Sequence, residues 1–165
     1  MDLFIEEITS TELSLVRDLS HAIWPLCYAN IITEAQINYM LENMYSLPAL
    51  EKAYKSGQRF LLAYLDSKPV GYAGFEIGTP DKNFCKLHKL YVLPNLHGFG
   101  IGKELLSKTQ NLADTAKCQS MFLQVNKKNP AIQFYQKMGM YVREEAVFDI
   151  GNGFVMDDFI MQLDW

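Results

Sequence analysis

Hydrophobic and polar positions change their spacing partway along the chain. In the first third, apolar residues recur every three or four positions, which is the pattern of a helix with one buried face. The pattern predicts a short strand over 4–8, a helix over 11–23, and two further helices that begin near Thr33 and Pro48. We expect Pro25 to interrupt or kink the first helix, because proline lacks the N–H group that a helix interior uses.

The rest of the chain alternates apolar runs of strand length with two more helical segments. Strands are predicted over 60–65, 70–77, 84–92, 121–125, 141–149 and 154–163, and helices over 100–117 and 130–138. Asn152-Gly153 is a strong signal for a tight turn between the last two strands. No repeat or linker interrupts the series, so we expect a single domain over residues 1–165. The predicted class is α/β, with a central mixed sheet covered by helices.

Composition and charge exclude several classes of protein. Of the 165 residues, 49% are hydrophobic, so the chain can bury a core and is not expected to be disordered. Its 15 Lys and Arg against 19 Asp and Glu give a net charge of −4, which argues against a nucleic-acid-binding surface. No apolar run approaches the roughly 20 residues of a membrane span, and acidic residues stand where a signal peptide carries basic ones. We therefore expect a cytoplasmic protein with neither nucleic acid nor a membrane as partner.

Cysteine and histidine give no sign of a metal site. The chain has three of each, and none of them stands at metal-ligand spacing from another. The cysteines are odd in number and lack a Cys-x-x-Cys pair, so we expect them to be reduced and partly buried. No bound metal is therefore expected; the six residues are Cys27, Cys85, Cys118, His21, His88 and His97.

The most informative segment is a glycine-rich loop between the predicted strand 84–92 and the helix that follows it. Glycines alternate three times in the segment His97-Gly98-Phe99-Gly100-Ile101-Gly102-Lys103. Alternate glycines let successive backbone N–H groups converge, and the helix N-terminus adds partial positive charge, so the loop predicts a phosphate or pyrophosphate cradle. Its spacing fits neither the dinucleotide fingerprint nor the P-loop. A plain connecting turn remains the alternative.

Two segments resemble the signatures of the GNAT family of N-acetyltransferases. Residues 97–102 are similar to its acyl-CoA-binding signature Q/R-x-x-G-x-G/A, with His97 where Gln or Arg is usual. Asn126 and Asn129, followed by the segment 131–139 (AIQFYQKMG), are similar to its second signature. The resemblance extends over nearly the whole chain and implies the acyl-CoA N-acyltransferase fold, a mixed, mostly antiparallel sheet of about seven strands flanked by helices.

The resemblance also implies an activity. It predicts transfer of the acetyl group of acetyl-CoA, used as a cosubstrate without a metal, to a primary amine. A small amine such as a polyamine is favoured, because Trp24-Pro25 and Tyr28 are more like the polyamine-acetylating bacterial branch. Trp24 and Tyr28 are expected to bind the amine, with plain core packing as the alternative. A protein N-terminus or lysine as acceptor, a non-catalytic acyl-CoA-binding or regulatory module, and a homodimer stay open.

The resemblance places acetyl-CoA between the predicted strands 84–92 and 121–125. The backbone of the first strand and the glycine loop are expected to hold the pantetheine arm and the pyrophosphate. The residues expected to contact the cofactor are Leu90, Tyr91, Val92, His97, Gly98, Phe99, Gly100, Ile101, Gly102, Lys103, Asn126, Asn129 and Tyr135.

Three residues are candidates for proton transfer. Attack by an amine requires loss of its proton, and the departing thiolate benefits from gaining one. Tyr135 matches the family's general acid. His88 is the first candidate base, because imidazole titrates near neutral pH and His88 would share a face with Leu90 if strand pairing is regular. Glu76, near the end of the preceding strand, is the second candidate base.

Overall fold

The computed structural model describes residues 2–165, and in that range the chain forms seven strands and five α-helices. The strands are β1 (Leu3–Ile8), β2 (Arg59–Leu65), β3 (Lys68–Ile77), β4 (Phe84–Val92), β5 (Ser120–Asn126), β6 (Tyr141–Gly151) and β7 (Phe154–Asp164). The helices are α1 (Leu13–Tyr28), α2 (Glu34–Tyr45), α3 (Leu47–Lys55), α4 (Ile101–Thr115) and α5 (Ala131–Lys137). None of these helices is long and apolar enough to cross a membrane.

All seven strands belong to one sheet in the order β1-β2-β3-β4-β5-β7-β6. The β4–β5 pair is parallel, and the other five pairs in this sheet are antiparallel. This confirms the mixed, mostly antiparallel sheet flanked by helices that the sequence predicted.

Helices cover both faces of the sheet, and each face has its own hydrophobic core. Phe60 and Leu62 of β2 pack with α1, α2 and α3 on one face, which we call the N-terminal face. Leu61 and Ala63 pack with α4 on the other face, which we call the α4 face. Because both faces of β2 are buried, its sequence is a continuous apolar run rather than an alternating one.

Helix α1 contradicts one of the two alternatives expected at Pro25, an interruption of the helix; the kink stays a prediction. Pro25 does not end the helix, which continues to Tyr28. A proline inside a helix removes one backbone hydrogen bond, here the bond to the carbonyl of His21. The last turn is held instead by burial of its apolar side chains, since Trp24 is 2% and Tyr28 7% exposed. The predicted helix start near Thr33 is confirmed, because the Thr33 side chain caps α2 by accepting a hydrogen bond from the Gln36 N–H.

Strands β4 and β5 separate partway along their length. They pair only from Phe84 to Leu87 of β4, opposite Ser120 to Leu123 of β5. Beyond that point β4 follows β3 as far as Val92, while β5 follows β7. The sheet therefore opens into a V between two strands that are each supported on the outer side.

A β-bulge lies where the V begins. The β3–β4 register shifts between Gly74 and Phe75, whose partners are Lys89 and Leu87, so His88 is the extra residue. Strand pairing is therefore irregular at His88. The expectation that His88 and Leu90 share a face assumed regular pairing, so that assumption does not hold. Leu90 packs on the α4 face, whereas the next strand position before it, Lys89, reaches the aromatic rings of the N-terminal face.

Candidate active site

The V between β4 and β5 opens into a cleft of about 880 Å³. The cleft brings together almost all of the site residues predicted from the sequence. Those that line it are Trp24, Tyr28, His88, Leu90, Tyr91, Val92, His97, Gly98, Gly100, Ile101, Gly102, Lys103, Asn126, Asn129 and Tyr135. Two predicted residues lie outside it: Phe99 is 55% exposed beside a second, shallower concavity, and Glu76 reaches the cleft only through its bond to His88.

The inner edges of the V offer free backbone groups. From His88 to Val92, β4 has no ladder partner on its β5 side, and from Gln124 to Asn126, β5 has none on its β4 side. An extended ligand with amide groups can therefore pair with an edge as an added strand does.

The glycine loop closes one end of the cleft. Gly98 and Gly100 have φ angles of +92° and +81°, a region that side chains other than glycine rarely adopt. A Cβ atom at either position would meet no protein atom within 4 Å and would stand in open space. Helix α4 begins at Ile101, so its first N–H groups have no partner within the helix. Together with Lys103, these groups suit an anionic phosphate ligand.

His97 has a structural contact in this loop. Its Nε2–H donates a hydrogen bond to the backbone carbonyl of Val92 at 3.0 Å. The bond connects the loop to the end of β4. It engages Nε2, so Nδ1 is the ring nitrogen that does not take part in it. A contact between His97 and a phosphate stays a prediction.

Two asparagines shape the turn between β5 and α5. Asn126 Oδ1 accepts from the Lys128 N–H, and Asn129 Oδ1 accepts from the Ala131 N–H, both at 2.9 Å. The Asn129 amide also lies 3.4 Å from the Tyr28 hydroxyl, to which it donates. The turn that precedes α5 is thus connected to α1 across the cleft.

Aromatic side chains form the part of the cleft beneath α1, which we call the acceptor half. The Trp24 and Tyr28 rings stack with centroids 4.3 Å apart, and the Tyr28 and Tyr91 hydroxyls lie 2.9 Å from each other. Tyr135 of α5 also faces the cleft and is 7% exposed. Burial raises the pKa of Tyr135 well above its ordinary value, so the phenol stays protonated at neutral pH.

The two candidate bases are paired with each other. His88 Nε2–H donates to the Glu76 carboxylate at 3.0 Å, which leaves the lone pair of His88 Nδ1 as the available proton acceptor. Burial, aided by the positive charges of Lys86 and Lys89, lowers the pKa of His88 to about 3. His88 is therefore neutral at pH 7.

Lys89 is a nearly buried cation in the acceptor half. It is 7% exposed, donates to Gln58 Oε1 at 3.0 Å, and lies over the rings of Tyr45 and Phe60. Burial and the nearby charge of Lys86 lower the pKa of Lys89 to about 8. Part of its population is therefore neutral under mildly alkaline conditions.

Asp158 of β7 is a residue that the sequence reasoning missed. It is 0% exposed, and neither carboxylate oxygen has a hydrogen-bond partner in residues 2–165. Burial, with a smaller contribution from the charge of Asp157, raises its pKa to about 6. The available signal was positional: Asp158 occupies an inward position of a strand whose inward neighbours, Met156 and Ile160, are apolar.

No group of three or more His, Cys, Asp and Glu in residues 2–165 is arranged to hold a metal ion. The cleft instead suits a long organic ligand, with an extended edge for amides at one end and a cradle for a pyrophosphate at the other. Coenzyme A has both parts, so the cleft has the features of a CoA-binding site.

Comparison with known proteins identifies the family. The model of the acetyltransferase (GNAT) family matches residues 21–140. The chain belongs to this family and is an acetyl-CoA-dependent N-acetyltransferase. It is 30% identical over 135 residues to uncharacterized N-acetyltransferases of Mycobacterium tuberculosis and Mycobacterium bovis, covering 79% of this chain and 85% of each relative.

Solved structures agree with this assignment. The PaiA N-acetyltransferase of Thermoplasma acidophilum, in complex with coenzyme A, superposes over all of both chains with a TM-score of 0.84 at 25% identity. The ribosomal-protein-S18-alanine N-acetyltransferase of Escherichia coli has a TM-score of 0.75 at 14% identity, covering 99% of this chain and 94% of that one. The second likeness concerns the fold alone.

Proposed function

We propose that residues 1–165 act as one acetyltransferase domain that acetylates the primary amine of a small molecule by direct attack in a ternary complex. One observation carries the proposal. The open V of β4 and β5 borders both the glycine cradle and the aromatic acceptor half, so two substrates can meet in one cleft. Holding both reactants in one geometry removes much of the entropic cost of their reaction.

Backbone groups hold the cofactor in this proposal. The free edge of β4 from Leu90 to Val92 pairs with the pantetheine amides, and an N–H of this edge stabilises the carbonyl oxygen as it gains charge. The N–H groups from Gly98 to Lys103 hold the pyrophosphate. Acetyl-CoA itself supplies the activated acetyl thioester. Its binding needs no side chain at the glycine positions, which fits the empty space above them.

Tyr135 is the general acid of the proposed mechanism. Its hydroxyl faces the cleft and is protonated at neutral pH, and the burial that raises its pKa also makes it a weaker acid. A phenol of this kind can give its proton to the departing thiolate. The residue that acts as the general base is less well defined than the general acid. His88, oriented by Glu76, offers Nδ1 as an acceptor. This role stays a prediction, because burial and then the charges of the neighbouring lysines oppose protonation of the ring.

The walls of the acceptor half support a small acceptor rather than a peptide. Helix α2 contacts the β6–β7 hairpin through two hydrogen bonds: Gln36 Nε2 donates to the Val155 carbonyl at 3.0 Å, and the Tyr39 hydroxyl donates to the Ile150 carbonyl at 2.7 Å. Because Gln36 also lines the cleft, these contacts join α2 to the hairpin at the wall of the cleft. A polyamine remains one candidate acceptor, and a cytoplasmic location and a homodimer remain predictions from the sequence.

Thiol release from acetyl-CoA tests the proposal. The acceptors are butylamine, spermidine, Nα-acetyl-lysine and an alanyl peptide, and we expect turnover with at least one of the two small amines. Tyr135→Phe should lower kcat by about 100-fold or more, because general acid catalysis contributes at least that much, with a far smaller effect on acetyl-CoA affinity. Tyr141→Phe is the matched control, since Tyr141 is 46% exposed and bonds Asp164.

Two outcomes would contradict the proposal. Acetyl-CoA binding without turnover on any amine would favour a non-catalytic acyl-CoA-binding module. Turnover on the alanyl peptide or on Nα-acetyl-lysine alone would favour a protein N-terminus or a lysine as the acceptor.

A further inference from the structure

In residues 2–165 two buried side chains carry polar atoms without a hydrogen-bond partner, the Trp24 indole N–H and the Asp158 carboxylate, and only the carboxylate is ionisable. The Asp158 side chain is fully buried, and no donor in residues 2–165 comes within hydrogen-bond distance of either oxygen. Burying a carboxylate without a partner costs several kcal/mol even after relaxation. Packing alone gives no reason for this cost, because an apolar side chain would fill the same position in β7.

Asp158 borders the acceptor half of the cleft. In the β5–β7 register it lies directly opposite Asn126, and it shares a face of β7 with Met156; both of these neighbours line the cleft. On the helix side its neighbour is Tyr28, whose pKa rises to about 12, chiefly through burial and in smaller part through the negative charge of Asp158. The negative charge of Asp158 therefore acts on Tyr28, although the two side chains are not hydrogen-bonded.

The charges that line the cleft make this position unusual. The Lys and His residues that line the cleft have no acidic counterpart there, because no Asp or Glu of residues 2–165 is among the lining residues. Glu76 reaches the cleft only through its hydrogen bond with His88. A primary amine arrives as an ammonium ion at neutral pH, so it meets a basic lining with one unpaired carboxylate, Asp158, behind it.

We propose that Asp158 binds the ammonium group of the acceptor and removes its proton. This inference rests on the proposed acetyl transfer to a small amine. Asp158 is fully buried and does not itself line the cleft, so this contact requires the Asn126 side chain, which accepts from the Lys128 N–H, to turn aside. In the step itself an N–H bond breaks and an O–H bond forms on Asp158, which leaves a neutral amine with a lone pair for attack. The carboxyl group gives the proton to solvent when the product leaves.

The surroundings of Asp158 suit a proton acceptor near neutral pH. Its pKa of about 6 results first from burial and then from the charge of Asp157, opposed by Lys127. Lys127 is engaged with Asp157 at 2.9 Å and Glu145 at 3.6 Å, so it does not neutralise Asp158. The facing residue of β6 is Ala146, and α1 contributes Tyr28, which stays protonated. Asp158 is thus ionised at pH 7 and binds a proton more readily than His88.

Kinetics of Asp158→Asn with butylamine and spermidine test the proposal. We expect kcat/KM for the amine to fall by about 100-fold or more, with acetyl-CoA affinity unchanged. The acid limb of the kcat/KM profile, which reports a free-enzyme group near pH 6, should disappear. Asp157→Asn, on the same strand with an exposed side chain, should stay within about twofold of the parent. An unchanged profile in Asp158→Asn would overturn the proposal.

A titration independent of turnover separates this proposal from the proposed function. In protein with ¹³C-labelled aspartate and bound CoA, butylammonium should shift the titration of the Asp158 carboxyl to lower pH, because a bound cation favours the charged form. No shift at saturating butylammonium would overturn the role of Asp158, even if acetyl transfer itself is observed. If instead no amine is acetylated by the parent protein, the proposed function fails, whatever the titration shows.

Discussion

Replacement of Gly100 by valine should abolish acetyl-CoA binding while the fold persists. Gly100 has a φ angle of +81°, and a side chain there would point into the space above the glycine cradle. The backbone strain costs about 2 kcal/mol, which a fold of ordinary stability survives. The side chain would also displace a phosphate from two or more N–H donors. At about 1.5–3 kcal/mol for each charged hydrogen bond, Kd should rise by more than about 100-fold.

Gly78 offers a matched control for that experiment. It has a φ angle of +82°, and a Cβ atom there would also meet nothing within 4 Å, but it lies in the β3–β4 turn outside the cleft. Calorimetry with acetyl-CoA and denaturant unfolding should be measured for Gly78→Val and Gly100→Val together. We expect similar losses of stability and a loss of affinity in Gly100→Val alone. Equal affinities in the two variants would refute the assignment of the cradle.

Three further predictions concern the buried polar groups. Lys89→Met should raise the pKa of His88, because a positive charge that opposes its protonation is removed; NMR titration of the ring checks this, and an unchanged pKa would contradict it. The folded-state pKa of Asp158 is about 6 against 3.8 unfolded, so its ionisation lowers stability as pH rises from about 4 to 6. We therefore expect the unfolding free energy of Asp158→Asn, measured with denaturant and compared with that of the parent, to rise by about 2–3 kcal/mol between pH 4 and pH 8. A difference that does not change with pH would refute the burial argument. Ser20→Ala should lower the unfolding free energy by about 1–3 kcal/mol, because it leaves the buried Tyr72 hydroxyl without its partner at 2.7 Å; no loss would contradict this.

Local chemistry made much of the fold predictable from the sequence. Strand β4 was predicted with its observed bounds, because an apolar run there meets Pro94. The cap at Thr33 and the turn at Asn152-Gly153 follow from side-chain and backbone preferences of single residues. Pro25 shows the limit of such rules, since tertiary burial of α1 outweighs the lost hydrogen bond.

The parts of the site that lie in sequence motifs could be predicted, whereas the parts that depend on packing between distant segments could not. The glycine loop and Tyr135 stand in recognisable segments, and the structure brings them to one cleft. The bulge at His88 depends on the register of β3 against β4, which one strand's sequence does not reveal. For Asp158 the sequence shows only a charged residue between apolar neighbours of β7; that its carboxylate has no partner in residues 2–165 depends on every neighbouring element at once.

A crystal structure of the protein with CoA would show where the cofactor binds. We expect the pantetheine arm to lie along the free edge of β4, the pyrophosphate to contact the N–H groups from Gly98 to Lys103, and the sulfur to face the Tyr135 hydroxyl. CoA bound instead in the shallow concavity beside Phe99 and Asn111, with the V of β4 and β5 left empty, would contradict this expectation.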